Sequence, residues 1–187
     1  MGSRAEIVAA AAKVMREQGY AHATTKVIAQ TAGYSEAMLY KHFRDKTDLF
    51  LSVLTEELPA LGTALAELTA NPGGAPLRDN LARLARLGLA FYTEGFPIAV
   101  SVFSSRDLLR GHRERLGGHG PRALLDGVAE YLRAERELGR INAEADVEAA
   151  AALLLGACFQ QAFLATFEER EPADLADRLA DTLLAAL

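Results

Sequence analysis

TTKVIAQTAGYSEAMLYKHFRDKTDLF, residues 24–50, is the stretch whose reading decides the fold. Thr24 or Thr25 can cap a first short helix, because a hydroxyl accepts from an amide that the first turn leaves without a partner. Val27, Ile28 and Ala32 form its apolar side, and Gly33 ends it, as suits a residue that adopts positive φ. Ser35 can cap a second helix, Glu36 to about His42, with Leu39 and Phe43 four apart and facing inward. Asp45 opens a third helix, with Asp48 three residues on in a box-like arrangement. Two short helices about a Gly-containing turn are the helix-turn-helix signature. The second helix exposes Glu36, Ala37, Met38, Tyr40, Lys41 and His42, and such a helix sets its first residues against base edges in the major groove. Tyr40, His42 and Lys46 are donors suited to phosphate oxygens. Lys26, Tyr34, Glu36, Ala37, Met38 and Lys41 are expected to include the base-reading set: Glu36 can accept from cytosine N4 and Lys26 can donate to guanine. A helical hairpin with a polar surface shares this coarse pattern.

The finer spacing goes further. Gly19-Tyr20, Thr24-Thr25, Ile28-Ala29, Ala32-Gly33, Leu39-Tyr40, His42-Phe43 and Lys46 follow one another in order. Over roughly Ala5 to Leu54 the chain thereby resembles the TetR family of bacterial transcriptional repressors. It departs from the family pattern at Val27 and Tyr34, which bears on base preference. The resemblance implies an all-α protein with an N-terminal three-helix DNA-binding unit, residues 1–46, and a larger helical regulatory and dimerisation domain, residues 47–187. The expected DNA contacts are Thr24, Thr25, Lys26, Tyr34, Ser35, Glu36, Ala37, Met38, Tyr40, Lys41, His42 and Lys46. The implied partners are a double-stranded DNA operator, a second copy of the chain and an unidentified small-molecule effector.

Charge is distributed as such a reading needs. Residues 1–50 hold seven Lys and Arg against five Asp and Glu, a balance of +2, so the remainder carries −7 of the net −5. All four lysines lie in that first part. A basic end can meet phosphate while an acidic end is kept off it. Cys158 is the single cysteine, so no intrachain disulfide can form, which fits a reducing cytoplasm. No signal-peptide pattern opens the chain. The apolar run at 150–159 is too short to span a bilayer, and no membrane partner is expected.

Beyond the reading unit, hydrophobic repeats predict long helices. One runs from Lys46 to about Ala70, interrupted or kinked at Pro59. Asn71–Pro76 is a break, and a helix follows from Leu77 to about Tyr92. Gly95-Phe96-Pro97 is expected to break it, with Pro97 opening another. Gly111 to Gly120 reads as a loop. Pro121 to about Leu138, Ala145 to about Glu169 and a last segment to Leu187 complete the chain. Small residues at Ala149–Ala152, Gly156 and Ala157, and Leu175, Leu179, Leu183 and Leu187 at steps of four, suit either internal core or a close approach of a second subunit. Family resemblance favours the latter.

Phe91, Tyr92, Phe103, Arg106, Tyr131, Phe159, Gln160 and Phe163 are the candidate effector-binding residues, since ligand sites are mostly apolar with a few placed polar groups. Catalysis has little support. The four histidines show no metal-ligand spacing with each other or with Cys158, and no phosphate loop or nucleophile elbow occurs. No cofactor, metal or enzymatic activity is expected. The expected function is that of a homodimeric repressor released from a palindromic operator by a small molecule. The alternatives are a ligand-independent DNA-binding regulator, and a helical carrier or enzyme that binds no DNA.

Overall fold

A computed structural model describes residues 2–56, 60–117 and 120–187, except the side chains of Thr55 and Ala60. The described residues form ten helices and no strand: α1 (Ser3–His22), α2 (Thr25–Thr31), α3 (Glu36–His42), α4 (Lys46–Glu56), α5 (Ala60–Ala70), α6 (Leu77–Phe103), α7 (Arg106–Leu116), α8 (Pro121–Glu137), α9 (Val147–Phe167) and α10 (Ala176–Leu184). They group into two compact units. One comprises residues 1–59 and 94–117, the other residues 60–93 and 118–187.

The first unit is built around α1, which packs on α2, α3 and α4. Ile7, Ala11, Val14 and Met15 of α1 meet Ile28, Leu39, Phe43, Leu49, Phe50 and Val53 in a single buried cluster. Gly19 interrupts α1 with φ 74°, a conformation that favours glycine. Residues 94–117 join the same cluster through Ile98, Val102 and Leu108, so the compact unit extends well beyond the expected boundary at 46/47. The cause is α4, whose Leu49, Phe50 and Val53 are fully buried against α1.

Two expected breaks are helical instead. α6 runs unbroken through Pro97. An interior proline costs about 3 kcal/mol or more. Ile98 and Val102, 1% and 2% exposed, offset this at roughly 1.5–3 kcal/mol each. The stretch 106–116 is helix rather than loop: Ser105 caps it by accepting from the Leu108 amide at 3.4 Å. Gly111 sits there because α7 packs on α4; a Cβ at that position would stand 3.3 Å from Leu51 Cδ1. The long helix expected over 46–70 is seen as α4 and α5; Pro59, on which the interruption was placed, lies outside the described residues, as does His119.

In the second unit α8 packs between α5 and α9, and α10 lies on α9. Leu61, Leu81, Leu84, Val128, Tyr131, Leu132, Leu154 and Cys158 are among its buried core residues. Leu183 is buried and Leu179 and Leu187 pack beside it, so that part of the leucine stripe is internal core. The run 150–159 belongs to a 21-residue helix that is long and apolar enough to cross a membrane by length and composition. Its Val147, Ala151, Leu154, Cys158 and Ala162 are buried nonetheless, as in the core helix of a globular unit. Burial pushes the Cys158 thiol up to about 11, which leaves it protonated and unreactive at neutral pH.

Candidate nucleic-acid interface

Local chemistry sets α2 and α3 in place. Thr24 Oγ1 accepts from the Val27 amide at 3.2 Å, and Ser35 Oγ accepts from the Met38 amide at 3.3 Å. Between the two helices Gly33 takes φ 76°, and the Tyr34 amide donates back to the Ala29 carbonyl at 2.9 Å. That pairing closes α2 with the six-to-one bond of a Schellman turn. Leu39 (0% exposed) and Phe43 (3%) anchor the inner side of α3. Asp45 Oδ1 accepts from the Asp48 amide at 2.8 Å, and Asp48 Oδ2 accepts from the Arg44 amide at 3.1 Å. This is the expected capping box, shifted by one residue on its return arm.

The outward face of this unit carries Thr24, Lys26, Ser35, Ala37, Tyr40, Lys41 and His42 exposed, with Thr25, Tyr34, Glu36, Met38 and Lys46 half-buried. Several are engaged with one another. Thr25 Oγ1 donates to Glu36 Oε1 at 2.5 Å and lies 3.4 Å from the Tyr40 hydroxyl. The Tyr34 hydroxyl donates to the Glu6 carboxylate, which pins the turn to α1. His42 Nε2 lies 2.9 Å from Ser3 Oγ. Lys46 donates to the Ala21 carbonyl at 3.3 Å and stands 4.3 Å from the centre of the Tyr20 ring. Burial lowers its pKa, yet among the described residues only one of its three N–H groups is seen hydrogen-bonded.

Two features were not anticipated. Arg44, its side chain 85% exposed, follows α3 directly and adds a cation beside Lys41 and Lys46. Arg115 reaches from α7 to α4: Nη1 meets Asp48 Oδ1 and Nη2 donates to Ser52 Oγ, both at 2.7 Å. Arg4 of α1 makes a bidentate pair with Glu56, at 2.5 and 2.7 Å. Polar side chains thus fix both ends of α4. The sequence could have signalled Arg44 by its place between His42 and Lys46; nothing local signals Arg115.

Residues 7–53 match the model of the bacterial regulatory proteins of the tetR family. The chain is 30% identical over 146 residues to the HTH-type transcriptional repressor AcnR of Corynebacterium diphtheriae, an alignment spanning 78% of this chain and 71% of the relative. The chain belongs to the TetR family. It is therefore a DNA-binding transcriptional regulator, not an enzyme. Solved structures share the fold. A TetR-family regulator of Mesorhizobium loti superposes with TM-score 0.77 at 24% identity, covering 98% of this chain and 94% of that one. The fatty acid degradation regulator FadR of Bacillus halodurans gives 0.73 at 21% identity, covering 98% and 95%.

The candidate effector residues of this TetR-family chain fall in both compact units. Tyr131 is fully buried in the core of the second unit, its hydroxyl accepting from Asn80 Nδ2 at 2.8 Å. Burial also raises its pKa. Tyr92 packs edge-on to Phe91 and Phe159, with ring centres 5.1 and 5.5 Å away. Phe163 stacks on Phe167 at 6.0 Å, and Phe159, Gln160 and Phe163 lie on the exposed face of α9. Phe103 (77% exposed) and Arg106 belong to the other compact unit. A groove of about 510 Å³ does occur in the second unit, between α5 and α8, and none of the eight lines it.

Proposed function

We propose that the chain is a cytoplasmic, homodimeric repressor that reads a palindromic operator with α3 and the start of α2, and leaves it when a small molecule binds the second unit. The observation that carries this reading is α3 itself: capped at Ser35, anchored by Leu39 and Phe43, and bearing Ala37, Tyr40, Lys41 and His42 on its exposed side with Arg44 just beyond. Glu36, Ala37, Met38, Lys41, Lys26 and Tyr34 address bases; Thr24, Thr25, Ser35, Tyr40, His42, Arg44 and Lys46 hold phosphate. Thr25 engages one oxygen of Glu36, which leaves the other for a cytosine amine.

The two roles separate in one experiment. Glu36→Gln should cost about 1–2 kcal/mol on the preferred operator and change the preferred base at one position per half-site. Lys46→Ala should weaken all sequences alike and reduce the slope of log affinity against log salt by about 1 per subunit. The check is binding to an operator and its single-base variants over a range of salt. An unchanged base preference in Glu36→Gln, or an altered one in Lys46→Ala, would remove the assigned role.

Support for the dimer is the outer face of α9, where Leu153 is 66%, Phe159 47%, Phe163 45% and Phe167 77% exposed. Ala149, Ala152 and Gly156 lie exposed along the same helix. Contiguous apolar surface of this kind marks an association site. Phe163→Asp is expected to give a monomer of unchanged helicity at micromolar concentration, measured by light scattering on a sizing column. A variant that remains dimeric would place the interface elsewhere. Release then follows from linkage: an effector that prefers the DNA-incompetent conformation about 100-fold supplies about 2.7 kcal/mol, and operator DNA must weaken the effector by the same factor.

A further inference from the structure

We propose that the outward face of α7 is a second DNA-contact surface, where Arg106, Arg110 and Arg113 hold backbone phosphates beyond the half-site that α3 reads. For the place of the DNA it rests on the reading of α3 given above. α7 and the helix-turn-helix belong to the same compact unit.

Helical phase builds the row. α7 packs on α4, with Leu108 in the buried cluster, Gly111 beside Leu51, and Arg115 donating to Asp48 and Ser52. At about 3.6 residues per turn, Arg106, Arg110 and Arg113 fall together on the opposite side of the helix, and all three are exposed. The row extends about 10 Å along the helix axis, the rise of about three nucleotides of one strand. One end of it adjoins the DNA-reading elements. Arg115 Nη1 meets Asp48 Oδ1 at 2.7 Å, and Asp48 Oδ2 accepts from the Arg44 amide at 3.1 Å. Arg113 stands two residues before Arg115, so the row starts near the corner that carries Arg44 and Lys46 and continues away from it along α7.

Charge selects the partner. Most arginines of the second unit meet a carboxylate of the chain, as Arg78 and Arg86 do with Asp177, Arg83 with Glu67, and Arg133 with Glu148. Arg106 and Arg113 have no hydrogen-bond or ion-pair partner among the described residues. Arg110 pairs with Asp107, but the two side chains are 68% and 83% exposed, and so weak a pair yields readily to a phosphate. Arginine grips phosphate through two parallel N–H bonds. Three guanidinium groups in line on an exposed face, continuous with the reading corner, suit an extended polyanion. Contacts of this kind carry no sequence information, so the surface adds affinity and salt dependence and leaves base preference unchanged.

The test uses the full chain and fluorescence anisotropy over a range of salt. The probes are an operator selected from a random pool and trimmed to its half-sites, the same operator with about 15 base pairs of arbitrary sequence on each side, and an unrelated duplex of the longer length. Wild type is expected to bind the flanked operator about tenfold more tightly than the trimmed one, with a salt slope steeper by about 2 per subunit. The triple substitution Arg106→Gln, Arg110→Gln and Arg113→Gln should abolish that gain, weaken binding to the unrelated duplex to a similar degree, and leave the trimmed operator unaffected. Arg113→Gln alone should reduce the gain about twofold, and lysine at all three positions should keep most of it. Absence of a flank gain in wild type, a gain retained by the triple variant, a gain that changes with flank sequence, or an equal loss on the trimmed operator each overturns the proposal. The last would mean that α7 acts on α3 through α4. The unrelated duplex separates this surface from the function proposed above. Loss of binding there with no operator recovered would support the α7 row and remove sequence reading by α3; an operator bound equally by wild type and triple variant, flanked or trimmed, would do the reverse.

Discussion

Replacing Glu135 by alanine is expected to destabilise the second unit by about 3 kcal/mol, the cost of orphaning the partners of a buried charge. Glu135 is completely buried. Its Oε1 accepts from the Gly73 amide at 3.0 Å, and its Oε2 faces Arg140 Nη1 at 3.0 Å. Arg140 in turn donates to the Ala75 carbonyl at 2.6 Å. One carboxylate thus ties the turn between α5 and α6 to α8. Without it the Gly73 amide loses its acceptor and Arg140, its side chain 28% exposed, loses its counter-charge. The melting temperature should fall by about 6–12 °C. Glu135→Gln, whose amide oxygen can still accept from Gly73, should cost roughly half as much. Urea unfolding followed by circular dichroism measures both; a loss below about 1 kcal/mol in the alanine variant would show that the turn is held by other contacts.

Asp48→Ala is the second large effect, about 2–3 kcal/mol, together with loss of operator affinity. The side chain is 15% exposed, caps α4 through the Arg44 amide and receives Arg115 from α7. Its removal costs a cap and leaves Arg115 facing Ser52 and the more distant Glu56. Because Arg44 and Lys46 flank the point where α3 passes into α4, loosening this corner should weaken DNA binding beyond the loss in stability.

A pH signature accompanies the substitution. Burial alone would raise the Asp48 pKa, but the hydrogen bonds from Arg115 and the Arg44 amide outweigh it and hold the carboxyl below its ordinary 3.8. The hydrogen bond from Arg4 holds Glu56 below its ordinary 4.5 in the same way. Both folded values lie below the unfolded ones. Their stabilisation is therefore complete above those ordinary values and is lost as pH falls through the folded ones. Asp48→Ala should flatten the fall in stability below about pH 4, whereas Lys46→Ala should not. Equal acid profiles for wild type and Asp48→Ala would mean that the pair with Arg115 contributes nothing.

The helix-turn-helix was legible because its determinants are local. Thr24, Gly33, Ser35 and Asp45 each act on residues within five positions of themselves, a range that a linear reading covers. The same reading failed where a tertiary neighbour sets the outcome. Gly111 looks like a loop residue until Leu51 of α4 is seen beside it, and Pro97 looks like a break until Ile98 and Val102 are found buried. Arg115 and Asp48 stand 67 residues apart, and no periodicity links them. The placement of the aromatic residues depends on tertiary context in the same way. Phe159, Phe163 and Tyr131 have the composition of a pocket, but helical phase sends the first two to the surface of α9 and the third into the core. The groove between α5 and α8 is lined by Gly62, Ala66, Ala70, Ala123 and Gly127 together with Leu65, Thr69, Leu124 and Glu130, a grouping that no linear spacing reveals.

The central claim is that two copies of α3 read one DNA sequence together, and selection of bound DNA from a random duplex pool tests it most directly. Two identical reading helices held by a dimer must meet successive faces of the major groove, about 34–36 Å or one helical turn apart. The account predicts a palindromic consensus whose half-sites lie one turn, or a small whole number of turns, apart from centre to centre. It further predicts that Glu36→Gln shifts the same position in both half-sites. A single unrepeated half-site, or recovery of no consensus at all, would contradict it.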